Sequence, residues 1–160
     1  MKHTVGVADM KISACRGDTL VTHALGSCLG IAIHDPVACV GGLLHIMLPL
    51  SSIDPAKAAL NPCKFVDTGV PKLFIESYRA GAVKERLIVK VAGGACMRPE
   101  GEEDYFQIGQ RNFVTLRKVF WKNGVLLGSH DVGGNESRTM ILEVGTGQVS
   151  LKINGAIKKL

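Results

Sequence analysis

The chain has 160 residues, enough for one ordinary domain that can bury about 70% of its unfolded surface without metals or disulfides. With 46% hydrophobic and 21% charged residues, it has the composition of a folded globular protein and lacks the bias of a disordered one. Lys and Arg number 19 against 14 Asp and Glu, a net charge of +5, yet the basic residues are scattered apart from Lys158-Lys159 and aromatics are only 5%, which sets aside a nucleic-acid footprint in favour of an acidic protein partner.

The opening residues, Met1 to Val7, lack the apolar core of a signal peptide, and no run approaches a membrane span, so a cytoplasmic protein is expected. Val5 to Ser13 alternates apolar and polar residues and reads as a strand, followed by strands over Thr19 to Leu25, Leu29 to Ile33 and Val40 to Leu48, with a turn at Asp35-Pro36. Residues 49–62 read as a long surface loop of the kind that serves as a lid. Val66, Val70, Leu73, Phe74 and Tyr78 recur at helical spacing, predicting an amphipathic helix over Phe65 to Ala80 that runs through Pro71 and stops at Gly81.

Leu87 to Ala92 reads as a buried strand ending at Gly93-Gly94, and Phe113, Leu116, Val119 and Phe120 define one face of a second helix over Ile108 to Lys122. Strands follow at Val125 to Ser129, Thr139 to Val144 and Gln148 to Ile153, the last two joined by a turn at Gly145-Thr146-Gly147. Two runs of strands flanking two helices, without regular βαβ alternation, predict an α+β fold: one layered domain over residues 1–160, a sandwich of mixed sheets with flanking helices.

The five cysteines, Cys15, Cys28, Cys39, Cys63 and Cys96, are odd in number and have no Cys-x-x-Cys spacing, which argues against a disulfide framework and a zinc site. Free thiols are expected, and one of them is placed like a nucleophile. Gly26-Ser27-Cys28-Leu29-Gly30 brackets Cys28 between glycines at the junction of two strands, where a sharp turn lets substrate approach and frees N–H groups, around Gly26 and Ser27, for a developing oxyanion. The plainer reading is a small buried residue in a turn. The spacing is also that of a Gly-x-Ser-x-Gly elbow, but such an elbow needs a following helix, whereas Ile31-Ala32-Ile33 reads as a strand.

A thiol nucleophile needs a base, and the histidines are His3, His23, His34, His45 and His130. His45 is a single polar residue inside the apolar run Gly41 to Pro49, where an unpaired imidazole is unfavourable and a partner is required. If its strand pairs with the one after Cys28, the two side chains can meet. The alternative is a satisfied core histidine, and His34, beside the Asp35-Pro36 turn, is expected to be solvated. Thr22 occupies a strand position from which its hydroxyl could orient an imidazole, or it is an ordinary strand threonine.

The glycine pairs Gly41-Gly42, Gly93-Gly94 and Gly133-Gly134 fit tight turns and close backbone approach better than phosphate binding, because no nucleotide motif accompanies them. Arg138 reads as a structural anchor or as a rim contact for an acidic partner. No His, Asp or Glu cluster has metal spacing, and no cofactor is expected.

Taken together, Leu25 to Gly30, Gly41 to Pro49, Lys90 to Ala95, Ile108 to Asn112, and Asp131 to Gly134 with Arg138 resemble the chemoreceptor glutamine deamidase family, CheD, of bacterial and archaeal chemotaxis. The resemblance runs from about Val7 to Lys152. It implies a fold similar to that of deamidating toxins and a Cys-His-Thr site: Cys28 as nucleophile, His45 as base and acid, Thr22 as the residue that orients His45. It implies hydrolysis of receptor glutamines to glutamate through a thioester, a methylesterase-like activity in some members, and binding of a CheC-type phosphatase. Ser137 departs from the family pattern, which usually has Gly there, and Cys63 and Cys96 are unexpected. Two rival readings are an adaptor that mainly binds the phosphatase, with vestigial activity, and a hydrolase of small-molecule amides, which would need a deep closed pocket.

Overall fold

The computed structural model describes residues 1–99 and 101–160. Among them, one five-stranded sheet joins β1 (Lys2–Val5), β3 (Thr19–Leu25), β8 (Arg138–Glu143), β9 (Val149–Ile153) and β10 (Ala156–Lys159) in that spatial order. A second joins β2 (Asp9–Ser13), β5 (Val40–Ile46), β4 (Leu29–Asp35), β6 (Ile88–Gly93) and β7 (His130–Val132). Each sheet is mixed, with parallel pairing of β1 to β3 and of β6 to β7 and antiparallel pairing elsewhere. Helices α2 (Val66–Arg79) and α3 (Ile108–Lys122) cover the outer face of the second sheet. This is the α+β layered sandwich that the sequence predicts.

The second sheet is therefore enclosed on both faces, and every residue of β4 and β5 is buried. Leu29, Ile31, Ile33, Leu44 and Ile46 pack outward against Val70, Leu73, Leu116 and other helix residues. Ala32 and Leu43 pack inward with Leu20, Leu25, Met140 and Leu142 of the first sheet. Burial on two faces explains why these strands read as continuous apolar runs. Each fully buried Leu or Ile contributes about 1.5–3 kcal/mol, so a polar side chain admitted here displaces real stability.

The two long helices and strands β3, β4, β5, β6, β8 and β9 lie within a residue or two of the predicted spans. Val5 to Ser13, however, is two strands in different sheets: the apolar positions change phase, from Val5 and Val7 to Met10 and Ile12, across a turn at Gly6 to Ala8, where Ala8 takes φ +56°. Residues 49–62 are not an open loop. They hold the short helix α1 (Pro55–Leu60), whose first turn is capped by the Asp54 carboxylate accepting from Lys57 N–H, and single helical turns at Ser51–Ile53 and Pro62–Lys64.

Val125 to Ser129 is not a strand either. Gly128 N–H reaches the Val89 carbonyl (2.9 Å), but regular pairing with β6 begins only at His130. Strand β10 escaped prediction although Asn154-Gly155, at φ +50° and +81°, marks the hairpin that leads into it. His34 is buried, not solvated, and donates from Nε2 to the Val144 carbonyl (2.8 Å) while Gly147 packs on its ring. Among the described residues no helix is long and apolar enough to cross a membrane.

Candidate active site

Thr22 reaches the interior by plain alternation with Leu20, and a bulge that follows it in β3 returns Leu25 to the same face. Thr22 pairs with Met140 and Leu25 with Arg138, so three steps on one strand oppose two on the other. Ala24 takes the left-handed conformation (φ +58°), His23 and Ala24 turn out to solvent, and Thr22 and Leu25 both point inward. The Thr22 side chain, fully buried, donates its hydroxyl hydrogen to the Val5 carbonyl at 2.8 Å and lies 2.7 Å from His45 Nδ1.

Those two contacts fix the state of the imidazole. A carbonyl can only accept, so the single hydroxyl hydrogen belongs to Val5, and Thr22 Oγ1 must in turn accept from His45 Nδ1–H. The neutral ring then carries its lone pair on Nε2, which is buried and has no hydrogen-bond partner among the described residues. Burial holds the imidazole pKa down at about 4, from 6.5, so the ring is neutral at physiological pH. The His45 ring is thus held in one orientation with an unused lone pair on Nε2.

Strands β4 and β5 pair in the register that sets Gly30 opposite His45. With a side-chain period of two, Cys28, Gly30 and Ala32 share the inward face with Leu43 and His45, and Cys28 packs against the inter-sheet core. Cys28 stands diagonally from His45, one residue before the ladder begins. It is half-buried, and burial pushes the thiol pKa up, which keeps it protonated at rest. At rest the site holds a thiol and a neutral imidazole on one face of the sheet, with no hydrogen bond between them, and not an ion pair.

The turn that carries Cys28 is held by its carbonyls. Gly26 C=O accepts from Ala95 N–H (2.8 Å), Cys28 C=O from Gly94 N–H (2.9 Å), and Ser27 C=O from the Asn112 side-chain amide (3.0 Å). This is the close approach for which Gly93-Gly94 is needed: a Cβ on Gly93 would lie 2.1 Å from the Cys28 carbonyl oxygen. Gly26 spends its own N–H on the Ala24 carbonyl (3.0 Å), whereas no turn or loop hydrogen bond among the described residues uses the N–H of Ser27 or Cys28.

The structure therefore brings Thr22 onto His45 and sets Cys28 on the same face of the same sheet end, as neighbours of the turn formed by Gly26 and Ser27. Arg138 is an anchor, not a rim residue. It is 6% exposed and binds Asp131, Gly93 C=O and Gly133 C=O, tying the Gly133-Gly134 loop to the end of β6. Two partners escaped the sequence reading. The Val5 carbonyl is invisible in sequence, whereas Asn112, a fully buried amide on the apolar stripe of α3, left a signal: a polar residue in phase with Leu116 and Phe120.

A cavity of about 520 Å³ lies between the end of β6, the start of α3 and the Gly133-Gly134 loop, and meets the Cys28 turn through Gly94 and Ala95. Thr22, Cys28 and His45 do not line it. Among the described residues no group of three or more His, Cys, Asp or Glu side chains could hold a metal ion.

Comparison with known proteins adds an independent line. The family model described as CheD chemotactic sensory transduction matches residues 47–153, a segment that begins just after His45. A probable chemoreceptor glutamine deamidase CheD of Solibacter usitatus (strain Ellin6076) is 49% identical over 156 residues, 98% of this chain and 91% of that protein. The probable chemoreceptor glutamine deamidase CheD 1 of Syntrophus aciditrophicus (strain SB) is 50% identical over 151 residues, covering 94% and 93%. A third, from Desulforamulus reducens, is 41% identical over 157 residues, 98% of this chain and 93% of its own. On the strength of these matches, which take in nearly the whole chain, the protein belongs to the CheD family.

Proposed function

We propose that the protein hydrolyses glutamine side chains of methyl-accepting chemotaxis receptors to glutamate, with Cys28 as nucleophile, His45 as general base and acid, and Thr22 as the residue that orients His45. The observation that carries the reading is the chain Val5 C=O, Thr22 hydroxyl, His45 Nδ1–H, which leaves Nε2 bare on the face that Cys28 shares. A histidine serving packing alone would have both nitrogens satisfied. Relatives that carry the name chemoreceptor glutamine deamidase supply the substrate class.

In the proposed cycle, Nε2 takes the thiol proton as the sulfur attacks the glutamine Cδ, and the resulting oxyanion accepts from free N–H groups of the Cys28 turn. Of the two residues first considered for that task, Ser27 has its N–H available, while the N–H of Gly26 is engaged, so Gly26 serves by its small size. The imidazolium returns its proton to the departing nitrogen and ammonia leaves a Cys28 thioester. Water, deprotonated by Nε2, then attacks the thioester and releases glutamate and free thiol.

A pair at rest in its neutral form avoids burying an unpaired charge and forms its ions only with substrate in place. The reaction places the protein in the cytoplasm, where the basic chain (+5) meets the helices of the receptor. A CheC-type phosphatase is the proposed second partner. The test is ammonia release from a receptor cytoplasmic fragment by wild type, Cys28→Ala and His45→Ala. Loss in both variants is expected, and turnover persisting in either would overturn the assigned roles.

A further inference from the structure

We infer that Asn112 is a positioning residue for this reaction: it aims the backbone N–H of Cys28 as an oxyanion donor and locks the nucleophile turn to the end of the histidine strand. The inference rests on the hydrolase reading above. Asn112 sits on α3, in the layer behind the sheet, and is fully buried. Both hydrogens of its amide are used, one on Ser27 C=O and one on Met47 C=O, each at 3.0 Å. Ser27 precedes the nucleophile and Met47 follows His45 by two residues, so one side chain bridges the two segments that carry the chemistry.

The direction of the free N–H groups follows from peptide geometry. Peptide bonds here are trans, and in a trans peptide the N–H of one residue points opposite to the C=O of the residue before it. The carbonyls of Gly26 and Ser27 are drawn toward β6 and α3 by Ala95 N–H and by the Asn112 amide. The N–H groups of Ser27 and Cys28 must then face the other way, away from the layer that holds the carbonyls. Ala95 thus sets the Ser27 N–H and Asn112 sets the Cys28 N–H.

The remaining amide atom, Asn112 Oδ1, is buried without a partner among the described residues. A leucine would fill the same stripe of α3 with no unpaired acceptor, so what this position uses is the pair of donors. Reversing the amide would set Oδ1 against two carbonyls, which fixes its orientation. His45 keeps its own supports, Thr22 and the ladders on both sides of β5. Loss of the Asn112 bridge therefore falls on the turn and spares the base.

The experiment compares wild type, Asn112→Ala and Asn112→Ser, each assayed about 15 °C below its own melting temperature. Two rates are read: kcat and KM for ammonia release from a receptor cytoplasmic fragment, and alkylation of Cys28 by iodoacetamide, a displacement that makes no oxyanion. A misaimed donor is expected to lower kcat about 10- to 100-fold, with KM and alkylation each changed less than about threefold, and the serine hydroxyl is expected to restore part of kcat. Unchanged kcat in a folded variant, or alkylation that falls in step with kcat, would overturn the inference.

Should neither variant fold, wild-type protein still decides. A peptide carrying the aldehyde analogue of glutamine forms a tetrahedral adduct on Cys28, and the amide proton resonances of Ser27 and Cys28 are expected to move downfield; resonances that stay in place overturn it. Absence of ammonia release by wild type is a different result, and it removes the hydrolase reading together with the role built on it.

Discussion

Replacing Thr22 by valine keeps the shape of the side chain and removes one oxygen. The oxygen serves two buried groups, accepting from His45 Nδ1–H and donating to Val5 C=O. Each unpaired buried group costs about 1–3 kcal/mol, so the folded state should lose about 2–4 kcal/mol once local relaxation is allowed for. For a chain of this size that is a drop in Tm of roughly 5–15 °C. The catalytic effect comes from the tautomer. Without Thr22 nothing favours hydrogen on Nδ1, and a lost preference of about 1–3 kcal/mol lowers kcat about 5- to 150-fold. KM should hold, because Thr22 is fully buried and cannot touch a receptor helix. The assay is ammonia release from a receptor fragment at 20 °C, where the variant stays folded, with Thr22→Ser as the control that keeps the hydroxyl. Thr22→Val at half the wild-type kcat or more, or Thr22→Ser falling as far as Thr22→Val, would refute the reasoning.

Gly93→Ala drives a Cβ to within 2.1 Å of the Cys28 carbonyl at φ +116°, and should lower kcat at least about tenfold, whereas Gly17→Ala, with nothing within 4 Å of its Cβ, should leave kcat unchanged. The pH profile of kcat/KM should stay level well below pH 6.5 and fall only toward about pH 4, because burial keeps His45 neutral until then. For stability the sign is set by the unfolded chain, which takes up the proton first: the contribution of neutral His45 is complete above pH 6.5 and is lost progressively between pH 6.5 and about 4, and urea midpoints of wild type should fall across that window by more than those of His45→Leu. Arg138→Met strips Asp131 of one of two cationic partners and frees the Gly93 and Gly133 carbonyls, so urea unfolding should register a loss of about 2–4 kcal/mol.

What the sequence made legible, and what it hid, divides along physical lines. Periodicity found α3 to the residue and α2 within one, because a one-sided apolar stripe is a strong signal. The mixed layered architecture followed from the order of elements. Turns were less legible: the break between β1 and β2 shows only as a one-residue slip in the alternation between Val7 and Met10, and the strand placed at Val125 starts five residues late, where pairing and not composition decides. In the site, Cys28 and His45 stood out as a thiol between glycines and a lone polar residue in an apolar run. The inward position of Thr22 follows from its alternation with Leu20, but the bulge at Ala24 that returns Leu25 to that face leaves no mark in the sequence, since alanine seldom takes a positive φ. Asn112 was given no place on the helix, although it lies in phase with the buried Leu116 and Phe120.

The central claim is that a thiol at position 28 converts receptor glutamines to glutamates. Mass spectrometry of a receptor cytoplasmic fragment incubated with the protein measures this directly, since each amide converted to acid adds about one mass unit. Wild type is expected to add that increment at discrete glutamines and Cys28→Ala at none; an unshifted fragment with wild type, or the same shift with Cys28→Ala, would contradict the account.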